Sequence, residues 1–405
     1  MALVYLFGIA TFFQTALAGA VSPLFSMLDE VFLLVAIVYL AIKKIEDKEL
    51  RALRGLLIFL FFIFVVTSFN SFGLRPIWMI VLQSIIHLKF FIFLVFFIVI
   101  LDGRKCSSLV HVLFALTILG FLLNLALGDT MNDWVGARVQ YRLGELRPVG
   151  FQADTGNLGS MAAFCFLFYM FRKGVVTIAK FCLATLTMLV FGVLSSVRTP
   201  FISIVYSTIG AIAKSPKILF AGFIVTAIVV GVGLNFGLQE ILIKNWEITV
   251  ANFDWLDDPV ASAYIRGIMI YFAFALSFEY FPFGTGAASY GTVLSEGSWV
   301  YGKIGLATSR FFLETDGIYD SNFSSILGEY GYLGLFLFIF TFYRFYRYFM
   351  KQSGELKYGV LAFFLLIATY SLVNPIFMNA YSSILFPIIL VALVNGRRDT
   401  SPDAK

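Results

Sequence analysis

Charge is what this sequence of 405 residues has least of: Asp, Glu, Lys and Arg make up 13% of it, against 60% hydrophobic residues. A soluble domain carries roughly a quarter charged residues. With a mean hydropathy of +0.91, the composition excludes an ordinary soluble fold and predicts an all-α polytopic membrane protein. Histidine is nearly absent. His87 and His111 both fall in apolar runs, which leaves no outward imidazole as a base or zinc ligand. The three cysteines also exclude a good deal. Cys106 lies in a short basic loop, and Cys165 and Cys182 lie inside apolar runs, so neither a disulfide framework nor thiol catalysis is expected. The net charge of +5 is spread over short loops and does not suggest a nucleic-acid partner. No internal repeat and no low-complexity linker divides the chain, so residues 1–405 read as a single integral membrane domain.

What is present is a series of apolar runs. A bilayer core needs about 17–25 residues per helix, and on that measure twelve spans are predicted near 2–20, 29–42, 55–73, 76–101, 108–128, 157–171, 175–194, 199–213, 218–236, 322–343, 358–375 and 379–395. The first run ends in Ala16-Leu17-Ala18, which looks like a signal-peptidase site. No positive stretch precedes it, and it is read as a retained span. With both termini cytoplasmic, the inner loops collect Lys43, Lys44, Arg54, Arg104, Lys105, Arg172, Lys173, Arg344, Arg347 and Lys351, as the positive-inside rule requires. The loops 129–156 and 237–321 then face outward. Residues 260–278 are apolar enough to cross, but a crossing there would invert every later loop. They are expected to form an interfacial helix on the outer face, with apolar residues at 265, 268, 269, 272 and 276 along one stripe.

The two outward loops hold the candidate chemistry. If 132–145 is helical, Arg138 and Arg142 lie one turn apart, where two guanidinium forks can meet one pyrophosphate. A surface helix with Arg142 paired to Glu145 is an equal account. Arg147 stands in the turn Arg147-Pro148-Val149-Gly150 beside the membrane boundary, placed to grip a lipid phosphate. Arg198 ends a span in a Ser-rich turn, where it either snorkels to headgroups or makes a directed contact. Lys89 lies deep in a long apolar run, and an ionisable group there is a functional candidate. The large loop carries ten acids, and without histidine any base must be a carboxylate. The Asp257-Asp258 pair lacks a third spaced ligand, so no metal site is expected. Trp255, Trp299 and Tyr290 are candidate glycan platforms, an interfacial aromatic belt being an equally good account of the two tryptophans.

Several of these motifs occur in a telling order. Arg266 precedes Pro282-Phe283-Gly284-Thr285-Gly286, and Asp320-Ser321-Asn322 leads to Leu327-Gly328-Glu329-Tyr330-Gly331-Tyr332-Leu333-Gly334 at the head of a span. This arrangement resembles the O-antigen polymerase (Wzy) and O-antigen ligase superfamily over roughly residues 140–340. The Arg147-to-Asn157 stretch and the turn at Arg198 fit the same pattern. The resemblance implies a membrane glycosyltransferase of the bacterial inner membrane that joins undecaprenyl-pyrophosphate-linked glycans at its outer face, without cofactor or metal. Arg147, Arg198 and Arg266 would neutralise the leaving pyrophosphate. Asp320 would take the acceptor's proton, with Glu314 or Asp316 as the fallback. Gly284 and Gly286 would allow a tight turn near substrate. Ligases carry a histidine where this chain has Asp320-Ser321-Asn322, so a polymerase is favoured over a glycan ligase. Lipid-linked donor and acceptor, a chain-length regulator and a flippase are the implied partners. A secondary transporter of twelve spans is the alternative from another class.

Overall fold

The segments that become helices carry their own start signals. Asp47 caps α3 (Lys48–Thr67), its carboxylate accepting from the backbone of Glu49 at 2.7 Å and Leu50 at 3.0 Å. Asp154 does the same for α7 (Thr155–Phe171), accepting from Asn157 N at 2.6 Å. Ser321 caps the long α12 (Asn322–Ser353) through Ser324 N at 3.2 Å. Each cap satisfies amides that a helix leaves orphaned, which matters most where the helix end meets little water.

The protein is described by a computed structural model for residues 1–101, 106–137, 139, 141–142, 145–173, 176–195, 197, 199–212, 243, 265–309, 312 and 321–395. Before α7 run α1 (Ala2–Ala20), α2 (Leu28–Ile42), α3, α4 (Ile77–Leu101), α5 (Ser107–Leu127) and the short α6 (Asp129–Trp134). After α7 come α8 (Ile178–Ser195), α9 (Thr199–Ile212), α10 (Ile265–Glu279), the short α11 (Trp299–Lys303), α12, α13 (Lys357–Ser371) and α14 (Ala380–Asn395). A small antiparallel hairpin, β1 (Tyr141–Arg142) with β2 (Glu145–Leu146), interrupts the helical order.

Among the described residues seven helical stretches are long and apolar enough to cross a membrane: Ala2–Ala20, Pro23–Ile42, Lys48–Ser71, Ile77–Leu101, Ser107–Leu127, Ile178–Ser195 and Asn322–Ser371. Thr155–Phe171, Thr199–Ile212 and Ala380–Asn395 are apolar but shorter. The expected span 322–343 and all but the last four residues of 358–375 lie within the one continuous stretch Asn322–Ser371, and 218–236 lies outside the described residues. The expected interfacial segment contains α10. It buries Ile265, Ile268, Met269, Ala273 and Leu276, with Phe272 half-buried beside them. That stripe packs on α12, where the Ser277 hydroxyl donates to Leu327 O.

The core is aromatic. Helices α4 and α14 are buried on nearly every side, the pattern of central helices whose surface is apolar all round. Phe91 packs on Phe338, Phe345 and Phe377 at centroid distances of 5.1–5.4 Å, and Phe164 lies on Phe386 at 3.8 Å. Such contacts add about 0.5–1.5 kcal/mol per pair beyond the area they bury. Because successive helices alternate direction, the described residues near 20–28, 67–77, 127–137, 145–155, 280–298, 321–322 and 371–380 share one end of the bundle, referred to below as the loop face, where Asn70 and Ser71 bond the 284–285 backbone and Asn322 bonds Phe377 N.

Candidate functional site

Two constructions occupy the loop face. The first joins the Pro282–Gly286 motif to the Leu327–Gly334 motif. Gly284 (φ +74°) and Gly286 (φ +93°) turn the chain so that Thr285 N donates to Gly328 O at 2.9 Å and Gly286 N to Glu329 O at 2.7 Å. Gly331, with φ +63°, interrupts the helical geometry of α12, and its amide region lies against Gly284. A side chain on Gly331 would meet Pro282 O at 2.3 Å. The loop after α3 supports this turn from the other side: Asn70 Nδ2 donates to Gly284 O at 2.7 Å and Ser71 Oγ to Thr285 O at 3.0 Å. Gly284 thereby brings the turn into close backbone approach to the head of α12.

Glu329 is the centre of this construction. Its side chain is fully buried, and one carboxylate oxygen accepts from Ser289 N at 3.0 Å, Tyr290 N at 3.2 Å and the Thr292 hydroxyl at 3.1 Å. The other lies 3.0 Å from His87 Nε2. A buried carboxylate is tolerated only with such a set of donors. The pair ties α4, α12 and the 284–292 loop into one unit.

The second construction gathers the heads of α7, α10 and α14 with the C-terminal end of α13. The Tyr370 hydroxyl donates to Gly156 O at 3.3 Å and lies beside the hydroxyls of Ser160 and Thr199. The charges that act on it are those of the Asp154 carboxylate and the Arg266 guanidinium. A carboxylate and an arginine separated by more than a hundred residues therefore share one polar neighbourhood. Tyr381 adjoins the same place, next to Gln152, Asp154 and Tyr370. Thr155 Oγ1 and Asn322 Nδ2 are buried there without a hydrogen-bond partner among the described residues, and Asn322 Oδ1 accepts from Phe377 N at 2.9 Å. Unsatisfied buried polar atoms are uncommon and call for a partner.

No protein-family model matches the chain, and no curated protein matches it.

The individual candidates separate clearly. Arg266, the second residue of α10, is half-buried beside Tyr370. Arg147 is placed by α5: Asn124 Oδ1 accepts from Val149 N at 2.7 Å and Gly150 N at 3.0 Å, so the turn that follows Arg147 is fixed. Trp299 packs edge-on against Tyr280 at 5.9 Å. Arg138, Arg198, Trp255, Glu314, Asp316 and Asp320 lie outside the described residues. Residues 132–145 do not form one helix. The helix α6 ends at Trp134, and Arg142 pairs in strand register with Glu145, so the one-turn spacing of Arg138 and Arg142 does not apply. Tyr290 is fully buried, and its hydroxyl donates to Met269 O at 2.6 Å, leaving no open face for a sugar. Lys89 is buried against Asp29, whose other oxygen accepts from Gln14 Nε2 at 2.6 Å. That geometry makes Lys89 one half of an internal ion pair joining α2 and α4, rather than an outward anion ligand.

The sequence alone does not single out Glu329 and Asp154, because each sits in a motif that reads as something else. The signal for Glu329 was an acid inside an apolar span head, matched by a histidine in an equally apolar run. Asp154 carries the ordinary signature of a helix cap.

Proposed function

We propose that this chain is a membrane glycosyltransferase of the O-antigen polymerase type, joining undecaprenyl-pyrophosphate-linked repeat units at the outer face of the bacterial inner membrane. The observation that carries the reading is that the charges of Asp154 and Arg266 both act on the Tyr370 hydroxyl on the loop face. Attack by an acceptor hydroxyl on a glycosyl pyrophosphate needs a cation where charge develops on the leaving group and a carboxylate to receive a proton. Arg266 is the cation, with Arg147 and Arg198 as further phosphate ligands. Asp154 takes the place of first candidate base from within the described residues, and Asp320 remains the base the resemblance implies, with Glu314 and Asp316 behind it. The docking of the 284–286 turn onto the head of α12 supports the same reading, since it joins the motifs that carry the resemblance. A donor, an acceptor, a chain-length regulator and a flippase are the partners this proposal brings with it.

The test is direct. Purified protein, reconstituted with lipid-pyrophosphate-linked repeat units in the presence of chelator, should yield a ladder growing by one repeat. A single transferred unit would move the assignment to a glycan ligase. One observation favours a transporter instead: the buried pair Lys89–Asp29, since charges within a membrane bundle often mark a transport path. Intact substrate with no elongation, together with Lys89-dependent uptake into vesicles, would establish that alternative.

A further inference from the structure

At the end of the bundle opposite the loop face, a groove of about 700 Å³ opens between α5, α7 and α8. Its deep walls are apolar, including Phe114, Phe166, Leu183 and Met188, and Arg172, Lys173 and Lys180 stand at its mouth. Basic residues at a membrane boundary commonly do nothing more than snorkel. Here they are held in place. Arg172 Nη1 lies 2.6 Å from His111 Nε2, and His111 Nδ1 lies 2.7 Å from the Tyr169 hydroxyl. An arginine cannot give up its proton, so Nε2 must accept and Nδ1–H must donate to the Tyr169 oxygen. The Tyr169 O–H is thereby left to donate elsewhere, and Tyr169 lines the groove. The guanidinium also lies 5.3 Å from the Tyr169 ring centroid. Lys180 Nζ donates to Met170 O at 2.9 Å, which occupies one of its three protons.

The mouth is thus furnished with donors and positive charge. Among the described residues, the charges acting on Lys180 are those of Arg172 and Lys173, both of like sign, and the charge acting on His111 is that of Arg172. Among the described residues, then, three cations gather at this membrane boundary with no carboxylate acting on them, and like charges repel one another. An anion with several acceptor oxygens and an attached apolar chain complements both parts of the site, the chain lying in the groove and the oxygens meeting the donors.

We propose that this groove binds one anionic phospholipid, its phosphate held by Arg172, Lys173, Lys180 and the Tyr169 hydroxyl and an acyl chain laid against Phe114, Phe166 and Met188. The bound lipid neutralises the cation cluster and fills the gap between α7 and α8. The site is remote from the loop face and independent of any chemistry there.

The test uses the full chain in nanodiscs containing equal amounts of phosphatidylglycerol and phosphatidylcholine, followed by native mass spectrometry of the released protein. One phosphatidylglycerol should be retained at about tenfold over phosphatidylcholine, the ratio that roughly 1.4 kcal/mol of preference produces. The pair Lys173→Gln and Lys180→Met should bring the ratio close to parity. Ala184→Trp, which fills the groove and leaves every charge in place, should lower retention of both lipids. The pair Arg344→Gln and Arg347→Gln removes the same charge from exposed positions on α12 and should change nothing. Equal retention of the two lipids by the native protein overturns the proposal. An equal loss from the α12 pair also overturns it, since that would show diffuse surface attraction. Thermal unfolding in a zwitterionic detergent identifies any variant that fails to fold.

Discussion

Asp154→Asn preserves an acceptor oxygen for Asn157 N–H, so the cap of α7 survives while the negative charge beside Tyr370 is lost. Product formation should fall by about 10²–10⁴-fold, the usual worth of a positioned base, with no change in the unfolding midpoint. Asp154→Ala should show the same loss of product plus about 1 kcal/mol of instability from the missing cap. A nearly normal rate in Asp154→Asn would return the role of base to Asp320. Arg266→Ala should abolish product at unchanged membrane-inserted yield, and its intact activity would remove the proposed pyrophosphate contact. For the buried carboxylate on α12, Glu329→Ala leaves the donors of Ser289, Tyr290 and Thr292 without an acceptor. Each unpaired group costs about 1–3 kcal/mol. Glu329→Gln keeps one accepting oxygen and should be much milder in detergent melting. Lys89→Met should cost about 3–5 kcal/mol by stranding Asp29, and adding Asp29→Leu should restore most of it. At this scale the sequence showed the residue types and little of their roles. Arg266 was singled out through the resemblance, by its place ahead of the Pro282–Gly286 motif. Asp154 and Glu329 were not, since an acid shows its partner only when a distant segment is brought to it.

The decisive elements are α10, α12 and the turn between them. The buried stripe of α10 was readable from spacing alone, because one helical face has a fixed period. The bend in α12 was not, since nothing in Glu329-Tyr330-Gly331 states that the helix must open there. Gly331 at φ +63° accepts the Pro282 carbonyl against its backbone. A non-glycine residue in that conformation costs about 1–3 kcal/mol before any clash is counted. Gly331→Ala should therefore lower the unfolding midpoint and expose the 280–298 segment to limited proteolysis. A variant that melts and resists protease like the native chain would show that the docked turn is not held by this contact. The hairpin also corrects an expectation. Arginines four residues apart match a helical face, but Tyr141 and Arg142 pair in strand register with Leu146 and Glu145 instead.

For the whole molecule, the alternation of helices puts the motif-bearing loops at one end and most of the basic connections at the other. The native cysteines Cys106 and Cys165 are buried and Cys182 half-buried, so an introduced thiol can be read against a low background. Glu296→Cys and Glu355→Cys occupy exposed positions at opposite ends. A membrane-impermeant maleimide added to intact spheroplasts should label the first and reach the second only after lysis. The reverse pattern would invert the proposed orientation and place the Arg266 site inside.

By itself the sequence determined that this is a helical membrane protein, roughly where its apolar helices run, and that its unusual polar residues fall in a few connecting loops. Those conclusions follow from composition and period, which are local quantities and survive without knowledge of contacts. The tertiary structure alone decided that Arg266 and Asp154 both act on Tyr370, that His87 and Glu329 share a buried bond, that Lys89 is spent on Asp29, and that Tyr290 is core. Each of these joins residues far apart in the chain. Such pairings depend on which helix faces are packed together, and no local period carries that information.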